Sequence, residues 1–141
     1  MSCHSAPTAA KFTRLALRNS RIYVADEDRF AMEALACILR QAVETGVLTR
    51  EDLMTTEPQV IDKLEAEESC AAAWRNFCGY SKILRSETGP DEGFWVSVNA
   101  KKRWIDPLAE GKGRVSAWDA AAAAELADFC SLDFSHYLSA E

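Results

Sequence analysis

The sequence predicts a mainly α-helical domain of about five to six helices, with a small β-hairpin near residues 94–106. Three observations predict it. Apolar residues recur at helical spacing through most of the chain, and capping or stopping residues bracket those stretches. One short β-prone run, Phe94, Trp95, Val96, Ser97 and Val98, follows a loop rich in glycine and proline. At 141 residues, 48% apolar and 27% charged, the chain has the size and composition of one globular domain covering residues 1–141, not of a disordered tract.

The first helix is expected from about Thr8 to Val24, with Phe12, Leu15, Ala16, Ile22 and Tyr23 along one side and Lys11, Arg14, Arg18 and Arg21 as a basic stripe on another. Asp26 offers an N-cap for a second helix. Its apolar positions Phe30, Ala34, Leu35, Ile38, Leu39, Ala42 and Val43 follow the amphipathic template, and Gly46 is a natural stop. Thr49 with Asp52 suggests a capping box before a short helical turn, and Thr56, Glu57 and Pro58 open another helix. A further helix is expected from about Ser69 to Leu84, burying Ala73, Trp74, Phe77, Tyr80 and Leu84, though weakened at Gly79. After the loop, residues 94–98 are expected to pair with Trp104 and Ile105, setting Trp95 against Trp104. Ser116 and Asp119 cap a last helix with an alanine run, and residues 132–138 are aromatic enough to dock back.

The formal charge of −6 argues against general attraction to nucleic acid or to an anionic membrane. No run approaches 18 apolar residues and no secretory signal opens the chain, so the cytoplasm is the expected compartment. Five cysteines, odd in number and without a C-x-x-C pair, read as reduced thiols, most of them small core hydrophobes.

Histidine is scarce: His4 and His136 are the whole supply, each near a terminus. No metal-ligand cluster, nucleophile elbow, or phosphate-cradling glycine loop is present, so neither a catalytic residue nor a cofactor is expected. A metal hydrolase built from carboxylates alone would suit magnesium or manganese better than zinc. The candidate ligand-binding residues are the cations Arg14, Arg18, Arg21, Lys101, Lys102 and Arg103, because grouped guanidinium and ammonium groups can grip phosphate oxygens. The plainer alternatives are a solvated helix face, or one paired with the acidic residues Glu65, Glu67 and Glu68, and a purely structural hairpin around Trp104.

Residues 12–53 (FTRLALRNSRIYVADEDRFAMEALACILRQAVETGVLTREDL), 55–64 (TTEPQVIDKL) and 73–84 (AWRNFCGYSKIL) together resemble the helical region after the catalytic core of HD-domain metal-dependent phosphohydrolases, in the style of the deoxynucleoside triphosphate triphosphohydrolase-like members. The stretch VLTREDL at 47–53 matches that family's "G-x-L-x-x-x-D-L" turn when Gly46 is included, and residues 98–119 resemble its "K-x-R-Y-x-D-P-L" stretch. The family binds metal through histidines and aspartates including an adjacent His-Asp pair, and this chain has no His-Asp dipeptide. The resemblance therefore implies a non-catalytic C-terminal portion, to which no family metal ligand can be carried over. It further implies, as partner, an HD catalytic core or a second copy of the chain. The other reading left open is a small phosphate-ligand or nucleotide-binding protein using the basic helix face.

Overall fold

Prolines, caps and glycines set the helix boundaries in this chain. The structure, a computed structural model, describes Ser2–Cys3 and residues 5–141; His4 lies outside the described residues. Among them are five α-helices: α1 (Ala6–Ile22), α2 (Asp26–Glu44), α3 (Glu57–Ala66), α4 (Glu68–Gly79) and α5 (Ala120–Ser131). Short strands are β1 (Ser2–Cys3), β2 (Ile83–Ser86), β3 (Leu108–Ala109), β4 (Gly113–Arg114) and β5 (Tyr137–Ala140). The fold is mainly α with a small antiparallel β component, as the sequence predicts. No helix among the described residues is long and apolar enough to cross a membrane.

The chain forms two compact units, a division that composition does not mark: Met1–Asp28 with Asn99–Ser135, and Arg29–Val98 with His136–Glu141. In the first unit, α1 starts with Pro7 in its opening turn, where the missing N–H has no helical partner to lose. Its buried residues are Ala9, Ala10, Thr13 and Leu17. This face lies nearly half a turn around the helix from the side that carries Leu15, Ile22 and Tyr23, and those three remain 48%, 63% and 69% exposed. The reason is fit: Ala9 and Ala10 let the helix approach Ala109, Val115 and Ala122 closely, which a bulky face could not do. Further along, Leu17 and Val24 pack with Phe129 and Phe134. Asp119 caps α5 by accepting the Ala122 N–H at 2.9 Å, while Ser116 instead gives its N–H and hydroxyl to the Asp106 carboxylate at 3.1 and 2.6 Å.

The small hairpin of this unit lies just beyond the expected stretch. β3 pairs antiparallel with β4 around Gly111 and Gly113, whose φ angles of 71° and 80° allow the reversal, and β1 adds to β3 in parallel. Residues 99–103 contain no glycine, so nothing there permits an equally tight return. Trp104 and Ile105 accordingly lie outside any strand and are exposed, and Trp95 Nε1 donates to the Glu92 carbonyl instead of facing Trp104.

In the second unit, α2 buries Phe30, Ala34, Ile38 and Ala42, and Gly46 at φ 77° ends it as predicted. Ile38, Ala42, Leu48, Leu64 and Cys70 form one core cluster, and Phe30, Ala34, Val96 and Leu138 another. The expected capping box is present, the Asp52 carboxylate accepting the Thr49 N–H at 2.8 Å, and a second one opens α3, where Gln59 accepts the N–H of Thr56 at 3.1 Å. α4 stops at Gly79, short of the predicted Leu84, because Ile83–Ser86 extends to pair with Tyr137–Ala140. Val96 joins the same strand, bridging Leu138 through two N–H···O bonds of 2.8 Å. Arg29, 2% exposed, donates from Nε and Nη2 to the Val98 carbonyl at 2.9 and 2.6 Å, with Nη1 3.3 Å from His136 Nε2. Of the cysteines, Cys70 is buried as expected; Cys78 and Cys130 are exposed thiols.

Leu138 is fully buried, so Leu138→Ala should lower the unfolding free energy by about 2–5 kcal/mol in urea titrations; a change under about 0.5 kcal/mol would show that β5 contributes little to the core. A second expectation concerns Asp52, whose carboxyl is held below the usual carboxylate range by the Lys63 ammonium at 2.6 Å and then by the Thr49 N–H. A depressed folded pKa adds stability above the unfolded value of about 3.9, and that stability is lost as pH falls through the folded value. The urea midpoints of the wild-type protein and Asp52→Asn should therefore differ near about pH 6 and converge below about pH 4. A gap independent of pH would contradict this assignment.

Candidate functional site

Lys102 makes contacts that its neighbours Lys101 and Arg103 do not share. Lys102 turns inward: its ammonium donates to the Cys130 carbonyl at 2.5 Å and lies 5.4 Å from the Phe134 ring centroid. A cation at the C-terminal end of α5 meets the carbonyls the helix leaves unpaired and the negative end of its dipole. Lys101 and Arg103 fall on the other side, where with Ala100 they line a hollow of about 340 Å³ whose opposite wall is Ser20, Tyr23 and Val24 at the end of α1.

The arginines of α1 do not line this hollow. Arg14 pairs with Asp119 at 3.7 Å, and Arg21 pairs with Asp128 at 2.5 Å, its guanidinium 5.8 Å from the Phe129 ring centroid. The acidic partners of the stripe thus come from α5, and not from residues 65–68. Each pair is solvent-accessible and worth at most about 1 kcal/mol. Arg18 is exposed, and among the described residues the side chains of Arg18, Lys101 and Arg103 make no hydrogen bond or ion pair. Of the six candidate cations, the structure brings Lys101 and Arg103 together, commits Arg14, Arg21 and Lys102 to internal contacts, and leaves Arg18 apart.

Sequence reasoning missed Ser20 and Tyr23 as wall residues. Their signal is position: both precede Asp26 in the last turn of α1 and the two residues beyond it, where a helix end opens a concavity. It also missed a second hollow, of about 260 Å³, between α2 and α4. Ala34, Cys37, Ile38 and Gln41 face Ala73, Asn76, Phe77 and Tyr80, each set spaced i, i+3, i+4, i+7, with Phe94 at its edge. That spacing was legible, but it reads equally as core. No group of three or more His, Cys, Asp or Glu side chains among the described residues could hold a metal ion.

Compared with known protein families, curated proteins and solved structures, the chain matches none.

The contrast within one tripeptide is testable by thermal or urea denaturation. Lys102→Ala should destabilise by about 0.5–1 kcal/mol through loss of the α5 C-terminal contact, whereas Lys101→Ala and Arg103→Ala should stay within about 0.5 kcal/mol of the wild-type protein. Equal effects at all three positions would refute the division of roles.

Proposed function

We propose that the chain is a non-catalytic helical accessory domain related to the C-terminal part of HD-domain phosphohydrolases, docking onto an HD catalytic core through the outward side of α1. One observation carries this reading. Leu15, Ile22 and Tyr23, on the side of α1 whose spacing marks it as apolar, are 48%, 63% and 69% exposed. Large apolar side chains left in water along a helix and at its C-cap mark an interaction surface when they form a patch. The resemblance of residues 12–53, 55–64 and 73–84 supplies the partner class, since in that family the matching helix lies just behind the metal-binding core. A cytoplasmic setting suits the free thiols of Cys37, Cys70, Cys78 and Cys130.

The reading predicts co-sedimentation with a triphosphohydrolase-like HD core truncated before its own C-terminal helices. Leu15→Glu with Ile22→Glu should weaken that association at least about tenfold, or about 1.4 kcal/mol. No association with such a core, or binding indifferent to both substitutions, would sink it.

A second reading is favoured by Lys101 and Arg103, which are uncommitted cations on one wall of a hollow with Ser20 and Tyr23 on the wall opposite. In that reading the hollow takes a phosphate-bearing small molecule. Calorimetric titration with inorganic tripolyphosphate should show binding that Arg103→Ala weakens about tenfold and Arg14→Ala leaves unchanged; no heat of binding, or equal loss in both variants, would dismiss it.

A further inference from the structure

On α2, the side roughly opposite the buried residues Phe30, Ala34, Ile38 and Ala42 is not uniformly polar. Met32, Ala36, Leu39 and Val43 recur at steps of four, three and four, the repeat of a coiled-coil seam. Met32 and Val43 are 64% and 57% exposed. Ala36 and Leu39 are half-buried between them. With Arg40 and Glu44, the residues Ala36, Leu39 and Val43 outline a shallow hollow of about 420 Å³, which exists because residue 36 carries only a methyl group. Residues 36, 39, 40 and 43 are also the four-residue set that receives one knob in knobs-into-holes packing. Met, unbranched and adaptable, is well suited to be that knob.

Charge decides the orientation of what fills the hollow. Glu33 and Arg40 lie on the same flank of the seam, acid toward the N-terminal end and base toward the C-terminal end, and bond each other at 2.6 Å. In a parallel two-fold pair the flank bearing Glu33 and Arg40 faces the opposite flank of the other helix, so neither residue meets its charge partner across the seam. A copy laid antiparallel about a two-fold axis near Ala36 sets each Glu33 beside the Arg40 of the other copy. Two-fold packing also makes the surface self-complementary, since the knob and hole of one molecule meet the hole and knob of the next.

We infer that α2 is a self-association surface, on which a second copy of this chain docks antiparallel along Met32, Ala36, Leu39 and Val43, each Met32 entering the hollow of the other copy. The inference goes beyond the docking of an HD core and uses different residues. The seam is three turns of helix, about 16 Å long, so the dimer is concentration-dependent and not obligate.

Sedimentation velocity over a concentration series tests it, with circular dichroism to verify folding. The wild-type protein should pass from monomer to dimer, and Met32→Glu, at an exposed position, should weaken the dimer at least about tenfold. Glu33→Arg and Arg40→Glu should each weaken it, and the double exchange should restore it. Under mild oxidation, Ala36→Cys should form a disulfide-linked dimer beyond the level of the wild-type thiols, and Val43→Cys, far from the axis, should not. A strict monomer up to about 1 mM, a dimer untouched by Met32→Glu, or a double exchange that rescues nothing would overturn the proposal. A dimer indifferent to the α2 changes leaves HD-core docking through α1 intact, whereas loss of core binding in the α1 variants with an intact dimer does the reverse.

Discussion

The second unit depends on one strand. Residues 83–86 and 96 present backbone N–H and C=O groups that helices α2 and α4 cannot satisfy, and Tyr137–Ala140 satisfies them. Leu138 does two jobs in that strand: its backbone bridges Val96, and its side chain, fully buried, packs in the cluster of Phe30, Ala34 and Val96. Arg29 reinforces the same place from the start of α2 by donating twice to the Val98 carbonyl. A buried guanidinium is costly unless its donors are met, so its hydrogen bonds fix where the extended segment 96–98 runs. The aromatic contacts of Phe30 with Tyr80 and Phe94, both edge-on at centroid separations of 5.4 and 6.0 Å, follow from that placement.

Local signals were the legible part of the fold. The Thr49–Asp52 capping box, Pro58 in the first turn of α3, Gly46 beyond α2 and Asp119 before α5 act within a few residues of chain, and each appears where the sequence puts it. Contacts set by distant residues were less legible. The inward face of α1 was misjudged because hydropathy weights Leu15 and Ile22 above Ala9, Ala10 and Thr13, while packing against Val115 and Ala122 rewards small side chains. The end of α4 was misjudged because the competitor of its last turn, β5, lies more than fifty residues away. Residues 94–98 were recognised as β-prone; their partner, Leu138, had no mark that distinguished it from a helical tail.

The candidate site was legible in kind and not in arrangement. The sequence identifies six cations, but their roles are set by geometry that composition does not contain. Lys101, Lys102 and Arg103 are chemically similar neighbours, yet the fold sends one to the end of α5 and two to an open hollow. The arginines of α1 are spaced so that Arg14 and Arg21, two of the four cations of the basic stripe, meet carboxylates near the two ends of α5.

The interleaving of the two units has a consequence for how the molecule is made. The stretches that complete them, α5 and β5, are neighbours in sequence, so a nascent polypeptide leaving the ribosome holds two unfinished cores at once until residues 120–140 emerge. Each core closes by contacts long in sequence separation, a topology that slows folding. During that interval the apolar sides of α1 and α2 stand in water beside cores still open, and a chaperone would meet more greasy surface than the finished protein displays.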